Sequence, residues 1–255
     1  DYNTMGATLN LQKECSAAGL KPIFGYSFRL RQGDETVDMK LYCQSKEGLR
    51  NLLRIQKAIM VDSEEHTLTL RQLTDHAGGN VLVFGKCSGD WLRKNPDVVR
   101  KLKTAMGKEE GCSGKLYFQV DLTEYKAERI DVEVLKSVAC YFENFADPFT
   151  FSFEIEPILI CDNYYLDGDD ARNKIVLNKI ATGAAHEQSD EQFFKDIDEH
   201  FSVIEPLFDS EKWDVKALFE RMCRNTVEIA EGADAGYETD RNFMPRYDMT
   251  AEEKT

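Results

Sequence analysis

Short apolar segments alternate with amphipathic ones along this chain, and this alternation constrains its fold more than any other feature. Residues 81–84 form a continuous apolar run of the kind found in buried strands, whereas Leu49, Leu52 and Ile59 recur at the spacing of one helix face. Along the chain, the predicted order of elements is α-β-β-α-α-β-α-β-α-β-α. Strands alternating with helices of this length predict an α/β protein whose parallel sheet is either open or closed into a barrel.

Four of the predicted strands should run parallel and neighbour one another in one curved sheet. They lie at residues 23–28, 81–84, 116–120 and 158–161. A turn at Gly33 and Asp34 joins the first of them to a return arm, so these two segments should form a hairpin. We expect Asp162 and Cys87 to lie at the carboxyl-end edge of this sheet.

The last third of the chain has a mainly helical pattern. The predicted helices lie at residues 169–180, 190–197 and 213–230, and we expect the segment after Asp169 to pack outside the sheet. After Gly232 the chain is acidic and poor in apolar residues, which favours an extended conformation.

Charge and cysteine usage exclude several classes of protein. The formal net charge of −14 opposes general binding to the nucleic acid backbone, because that affinity comes largely from Lys and Arg. Any residual DNA contact is expected at Arg50, Arg54 and Lys57 on one helix.

The seven cysteines form no C-x-x-C pair and are odd in number, which indicates neither a zinc knuckle nor a closed disulfide framework. The cysteines therefore favour a cytoplasmic protein, and because no run approaches the roughly 18 apolar residues of a membrane span, we expect no membrane contact.

Asp162 directly follows the apolar run at residues 157–161, and Tyr164 stands two positions after it. Many barrel enzymes present metal ligands at such strand ends, with a histidine where Tyr164 stands here. A phenol with a pKa of about 10 is a poor ligand at neutral pH. The pattern at Asp162 therefore indicates a catalytic strand end that has lost a ligand.

The other residues with chemical potential are interpreted as structural. Cys87 follows a strand but has no histidine close in sequence to activate it, so we interpret it as a buried, inert thiol. The histidines show neither H-x-H nor H-E-x-x-H spacing and are expected at the surface or at helix ends. They are His66, His76, His186 and His200.

Four segments, taken in order, resemble the polymerase-and-histidinol-phosphatase (PHP) domain of the alpha subunit of bacterial DNA polymerase III. They are residues 19–25 (GLKPIFG), 46–53 (KEGLRNLL), 162–166 (DNYYL) and 227–230 (VEIA). Residues 242–247 (NFMPRY) also resemble the family's link toward the polymerase thumb and palm. The resemblance implies a PHP-type distorted (β/α)7 barrel, N-terminally truncated here, with a helical C-terminal extension.

The same resemblance implies a division of the chain into three parts. Residues 1–185 would be the PHP-like barrel portion without its first strands, and residues 186–232 the helical end of the PHP region. Residues 233–255 would be an extended linker toward the thumb and palm.

In metal-binding members of the family, a metal cluster lies at the carboxyl-end edge of the barrel. The resemblance places Asp1 and Asp162 at ligand positions, but it places Tyr2, Ser27 and Tyr164 where the usual ligands would stand. Carboxylates alone are too few to hold two or three metal ions. We therefore expect an empty remnant site, no catalytic residue and no cofactor in this chain.

The expected function is that of a scaffold and partner-docking module in a polymerase that synthesises DNA on a template. Catalysis would belong to the parent chain, with Mg²⁺ in its palm. The expected partners are other replicase domains in cis, a proofreading exonuclease subunit, and DNA through the parent chain. One alternative is an active metal-dependent 3'-5' exonuclease or phosphoesterase. Another is a non-catalytic interaction module of a polymerase paralogue or a phage replicase.

Overall fold

The structure is a computed structural model that describes residues 4–107, 114–123, 132–145, 155–182 and 191–239. These residues form a mixed α/β fold. The strands are β1 (Gly25–Gln32), β2 (Glu35–Cys43), β3 (Leu68–Thr69), β4 (Asn80–Phe84), β5 (Leu116–Val120) and β6 (Ile155–Leu159). The α-helices are α1 (Thr8–Ala17), α2 (Lys46–Met60), α3 (Leu70–Asp75), α4 (Gly89–Lys94), α5 (Pro96–Met106), α6 (Val132–Asn144), α7 (Ala171–Thr182), α8 (Ile197–Ile204) and α9 (Val215–Gly232).

The six strands form one sheet in the order β3-β1-β2-β4-β5-β6. β1 and β2 form the predicted hairpin, with Gly33 at φ +63° in its turn, and β2 pairs antiparallel with β4. β4, β5 and β6 pair in parallel, as does β1 with β3. The sheet is therefore mixed, with its parallel part at the β4-β5-β6 end.

The four strands expected to be parallel do share one direction, but they are not all neighbours. β2 is antiparallel to both β1 and β4, so β1 points the same way as β4 with β2 between them. The expectation that β1 would neighbour the other three was wrong. The reason is that β2, the second strand of the hairpin, pairs along the whole of β1 on one side and with β4 on the other.

The barrel implied by the resemblance is not confirmed. Within the described ranges, β3 and β6 are the two edges of the sheet. β3 contributes a parallel pair between Leu30 and Leu68 and one between Arg31 and Thr69, after which Thr69 caps α3.

The main core fills one face of the sheet. Phe28 and Met39 from the hairpin and Phe118 from β5 point into it, and α2 buries Leu52 and Ile55 against them. α2 begins at the predicted cap, where the Ser45 hydroxyl accepts a hydrogen bond from Gly48 N at 3.1 Å. Burying one such side chain contributes about 1.5–3 kcal/mol.

The opposite face is covered only in part, by α9. Ile229 packs on Val81, Val83, Tyr117 and Ile158. α9 is also fixed by polar contacts with β6. Arg221 Nε lies 2.7 Å from Glu156 Oε2, and Asn225 Nδ2 donates to Pro157 O at 2.6 Å. Toward the carboxyl ends of β4, β5 and β6, this face opens into a cavity.

The C-terminal third departs from the prediction at one point. Residues 191–196 are not helical, and α8 begins only at Ile197. The cause is a capping box in which Asp196 Oδ1 accepts from Glu199 N at 2.8 Å and Asp196 N donates to Glu199 Oε2 at 2.8 Å. The helices at residues 169–180 and 213–230 are present as α7 and α9. Three other local differences are that α4 and β3 were not predicted and that β6 ends at Leu159, before Cys161.

Residues 233–239 pack back onto α1. The Tyr237 hydroxyl lies 2.8 Å from Thr8 Oγ1, and the Gln12 side chain bonds both Tyr237 N and Tyr237 O. Residues 240–255, including the 242–247 segment, lie outside the described residues. In the part of the chain that the structure covers, no helix is both long and apolar enough to cross a membrane.

Candidate functional site

A cavity of about 350 Å³ lies at the carboxyl-end edge of the parallel strands, on the face that α9 leaves uncovered. Its walls combine basic, acidic and neutral polar side chains. The lining residues are Ser27, Phe28, Asp38, Met39, Lys40, Gly85, Lys86, Cys87, Gln119, Asp162 and Tyr164. We call this cavity the edge pocket.

The sheet brings these residues together from distant parts of the sequence. Gly85 and Lys86 follow β4, and Asp162 lies just beyond β6, because parallel strands end at the same edge. The hairpin supplies Ser27 and Lys40, which are cross-strand partners. Gly85 is required at its position because a Cβ there would lie 2.8 Å from Asp38 O.

A buried aspartate contacts two residues of the pocket wall, Lys86 and Asp162. The side chain of Asp121, just beyond β5, is fully buried. Its Oδ1 accepts from Thr123 N at 3.1 Å and from Thr123 Oγ1 at 2.8 Å. Its Oδ2 lies 3.5 Å from Lys86 Nζ and 3.4 Å from Asp162 N. Sequence reasoning missed Asp121, although it follows a strand as Asp162 does.

Two lysines pair with Asp162 and Asp121. Lys40 Nζ lies 3.4 Å from Asp162 Oδ1, and Lys86 Nζ lies 3.5 Å from Asp121 Oδ2. Both lysine side chains are only 17% exposed. An ammonium group in such a position is screened less by water than a surface lysine, so each pair fixes the position of its carboxylate.

The negative charge of Asp162 also acts on a neighbouring phenol. Burial, and then the charge of Asp162, raises the pKa of Tyr42 to about 12. Tyr42 is therefore a neutral phenol at physiological pH.

The structure places most of the predicted site residues in one pocket. Asp162, Ser27 and Tyr164 all line it, whereas Asp1 and Tyr2 lie outside the described residues. Tyr164 is largely exposed, and the ammonium of Lys174 lies 3.2 Å from the centre of its ring. Among the residues that the structure describes, no three His, Cys, Asp or Glu side chains are arranged to hold a metal ion.

Cys87 was expected to be buried and is exposed. It lies three residues beyond the end of β4, in the turn that enters α4, where the chain lines the open pocket. Its position at the carboxyl-end edge was predicted correctly.

The histidines lie in three different environments. His66 is exposed with φ of 52°, and His76 ends α3, as expected for surface and helix-end residues. His186 lies outside the described residues. His200 was expected at the surface or a helix end, but it lies within α8 and is partly buried, with Nδ1 3.7 Å from Cys161 Sγ. That expectation was wrong because the His200 ring contacts Cys161, two residues beyond β6, and is partly covered there.

The Cys161 and His200 side chains do not form an activated nucleophile. Burial, and then the charge of Asp121, raises the pKa of the Cys161 thiol well above its usual range. Burial, and then the charge of Lys195, lowers the pKa of His200. At neutral pH both groups are therefore uncharged, and a neutral thiol is a poor nucleophile.

Comparison with known proteins gives a distant and partial similarity. No protein-family model matches the chain. The chain is 26% identical over 104 residues to the DNA polymerase III subunit alpha of Staphylococcus aureus strains COL, MSSA476 and MW2. The matched segment covers 41% of this chain and 9% of the length of each relative. Part of the chain is therefore distantly similar to a small part of DNA polymerase III alpha subunits.

Proposed function

We propose that this chain is a PHP-like portion of a DNA replication protein of the polymerase III alpha type, and that it acts as a non-catalytic scaffold. The partial similarity to those subunits and the order of the four resembling segments support this proposal. The parent chain would carry out DNA synthesis with Mg²⁺ held in its palm. Its partners would be replicase domains in cis and a proofreading exonuclease subunit.

The pairing of Lys40 with Asp162 is the observation that carries the proposal. A metal ion needs several donors with available lone pairs, and an ammonium group has none. Its positive charge also opposes a second cation at the same carboxylate. With Ser27 and Tyr164 at the other positions, and with no three His, Cys, Asp or Glu side chains grouped for a metal among the described residues, the edge pocket would lack the donor set that two or three ions require.

The same ion pairs would hold this edge of the sheet in place without a metal ion. Lys40 links the hairpin to the segment after β6, and Lys86 links the turn after β4 to the end of β5. Asp121 then accepts a hydrogen bond from Asp162 N, which joins β5 to β6. The lysines thus hold the strand ends together, as ions would in a metal-binding relative, while supplying no Lewis acid.

Metal loading tests the site directly. The protein would be incubated with Mn²⁺ or Zn²⁺, desalted and measured by inductively coupled plasma mass spectrometry beside an Asp162→Ala variant. We expect substoichiometric metal in both, and no phosphatase or 3'-5' exonuclease activity above that of the variant. About one ion or more per chain, lost in Asp162→Ala, would instead support the metal-dependent hydrolase.

Primer extension by the full-length natural polypeptide tests the replication role. We expect the coding sequence beyond residue 255 to specify a palm with paired aspartates, and substitution of those aspartates to abolish extension. Asp162→Ala in the same polypeptide should still extend primers, because Asp162 supplies no catalytic group. A coding sequence without a polymerase palm would contradict this role.

A further inference from the structure

Helix α7 presents its apolar side chains to solvent and its small and polar ones to the fold. Ala171, Lys174 and Asn178, which share one side of the helix, are its partly covered residues. Lys174 contacts the fold through Gln192 Oε1 at 2.7 Å and through the ring of Tyr164. This arrangement reverses the usual one for a helix on a water-soluble domain, where the apolar stripe faces the core.

The outward side of α7 is aliphatic. Val176 and Ile180, one turn apart, are 51% and 77% exposed, and Leu177 beside them is 64% exposed. We call these three residues the α7 stripe. Two adjacent segments, joined by the bridge between Tyr165 and Phe193, expose Leu166 and Phe194 as well. Clustered apolar exposure of this kind marks a surface that binds another molecule.

The charges on α7 are also unusual for this chain. Asp and Glu outnumber Lys and Arg by 46 to 32 overall, yet α7 contains no acidic residue. Arg172 and Lys179 lie together along one border of the stripe and have no ion-pair partner among the described residues. In α2, by contrast, Arg50 and Arg54 are both paired with Glu47.

We propose that the α7 stripe is a docking site for an acidic amphipathic helix of a partner protein. Its apolar residues would pack on Val176, Leu177 and Ile180, and its carboxylates would pair with Arg172 and Lys179. Aliphatic side chains one turn apart form the ridge on which a second helix packs, at an axial distance of about 8–10 Å. The complementary charges would set its orientation on the stripe.

The chemistry of the α7 stripe disfavours binding of single-stranded nucleic acid and of a second copy of this chain. Single-stranded nucleic acid binds by stacking on aromatic rings, but the stripe is aliphatic and Lys174 lies over the ring of Tyr164. A second copy packed symmetrically on the stripe would bring Arg172 and Lys179 close to their own counterparts, because a two-fold interface uses the same patch twice. Like charges facing each other would weaken that dimer.

The test uses a fluorescein-labelled synthetic helix of about 20 residues with a leucine stripe bordered by Glu. The matched probe has Lys in place of every Glu. By fluorescence anisotropy at physiological salt, we expect the acidic probe to bind the 255-residue chain at least about tenfold more tightly than the basic probe. Equal affinity for the two probes, or tighter binding of the basic one, overturns the proposal.

Two paired variants assign any binding to α7. Val176→Glu with Ile180→Glu should abolish binding of the acidic probe, and Arg172→Glu with Lys179→Glu should reverse the preference between the probes. Control changes at exposed positions elsewhere, Val61→Glu and Lys216→Glu, should leave both affinities unchanged. Controls that weaken binding as much as the α7 variants would contradict the assignment.

Three further results would show another occupant and reject the proposal. Sedimentation equilibrium could reveal a dimer of the wild type that Val176→Glu with Ile180→Glu dissociates. A labelled oligothymidylate could bind the wild type more tightly than the acidic probe and lose affinity in the Arg172→Glu, Lys179→Glu variant. A fall in Tm of more than about 4 °C in the Val176→Glu, Ile180→Glu variant would mean that the chain itself covers the stripe.

Discussion

Lys40 on β2 and Asp162 beyond β6 lie 122 positions apart in sequence, and their charged groups meet at 3.4 Å in the edge pocket. This contact joins the antiparallel part of the sheet to its parallel part. A second pair, Lys86 with the buried Asp121, lies at the same edge.

Lys86→Met should destabilise the fold by about 2–3 kcal/mol, because Asp121 would keep its buried charge without its ammonium partner. Urea unfolding followed by circular dichroism measures this loss. Lys136→Met is the matched control, since its pair with Glu133 is largely exposed, and it should cost less than about 0.5 kcal/mol. Equal losses in the two variants would show that the Lys86 pair contributes no more than a surface pair.

Gly85→Ala should destabilise the protein by about 1–3 kcal/mol, because the new methyl group would collide with the backbone of Asp38. Urea unfolding followed by circular dichroism measures this loss of stability. Gly6→Ala is the control, because the nearest atom to its added Cβ lies at 3.6 Å. An unchanged free energy of unfolding in Gly85→Ala would mean that β2 and the turn after β4 can move apart without loss of stability.

Lowering the pH from 7.5 to 5.5 should reduce stability in part through His200. Burial lowers the pKa of His200 in the fold, so the unfolded chain binds the proton more readily. The stability that His200 contributes is therefore fully present above its unfolded pKa of about 6.5 and is lost as the pH falls toward the lower pKa of the folded state.

His200→Gln should make the loss of stability between these two pH values smaller than in the wild type. Unfolding free energies measured at both pH values give the comparison. Ser202→Ala, at an exposed position of the same helix, should retain the wild-type difference. An unchanged difference in His200→Gln would contradict the role assigned to this side chain.

The 255-residue chain should bind duplex DNA with a Kd weaker than about 10⁻⁶ M at physiological salt, because its net charge is −14. The basic residues expected to give residual binding are already paired, Arg50 and Arg54 with Glu47 and Lys57 with Asp62. Anisotropy of labelled DNA across a salt series measures the affinity. Submicromolar binding that Arg50→Glu with Arg54→Glu removes would contradict the prediction.

The local pattern of apolar residues predicted helices and strands correctly where those residues form a continuous run or recur at a regular spacing. The apolar runs at β4 and β5, the Ser45 cap of α2 and the turn at Gly33 were all found where expected. At residues 190–197 the helical spacing of apolar residues was misleading, because the hydrogen bonds between Asp196 and Glu199 delay the start of α8. A capping box can therefore set the first residue of a helix even where the spacing of apolar residues predicts an earlier start.

The sequence by itself indicated that Asp162 follows a buried strand, and the family resemblance placed Ser27 and Tyr164 in its neighbourhood. The sequence also determined the common direction of four strands, since helical crossovers and a tight hairpin permit little else. Only the tertiary structure decided that β2 lies between β1 and β4, that Asp121 is buried, and that lysines pair with both aspartates. These features depend on which residues meet across the sheet, and a residue's partners at long range are set by packing and desolvation rather than by its neighbours in the chain.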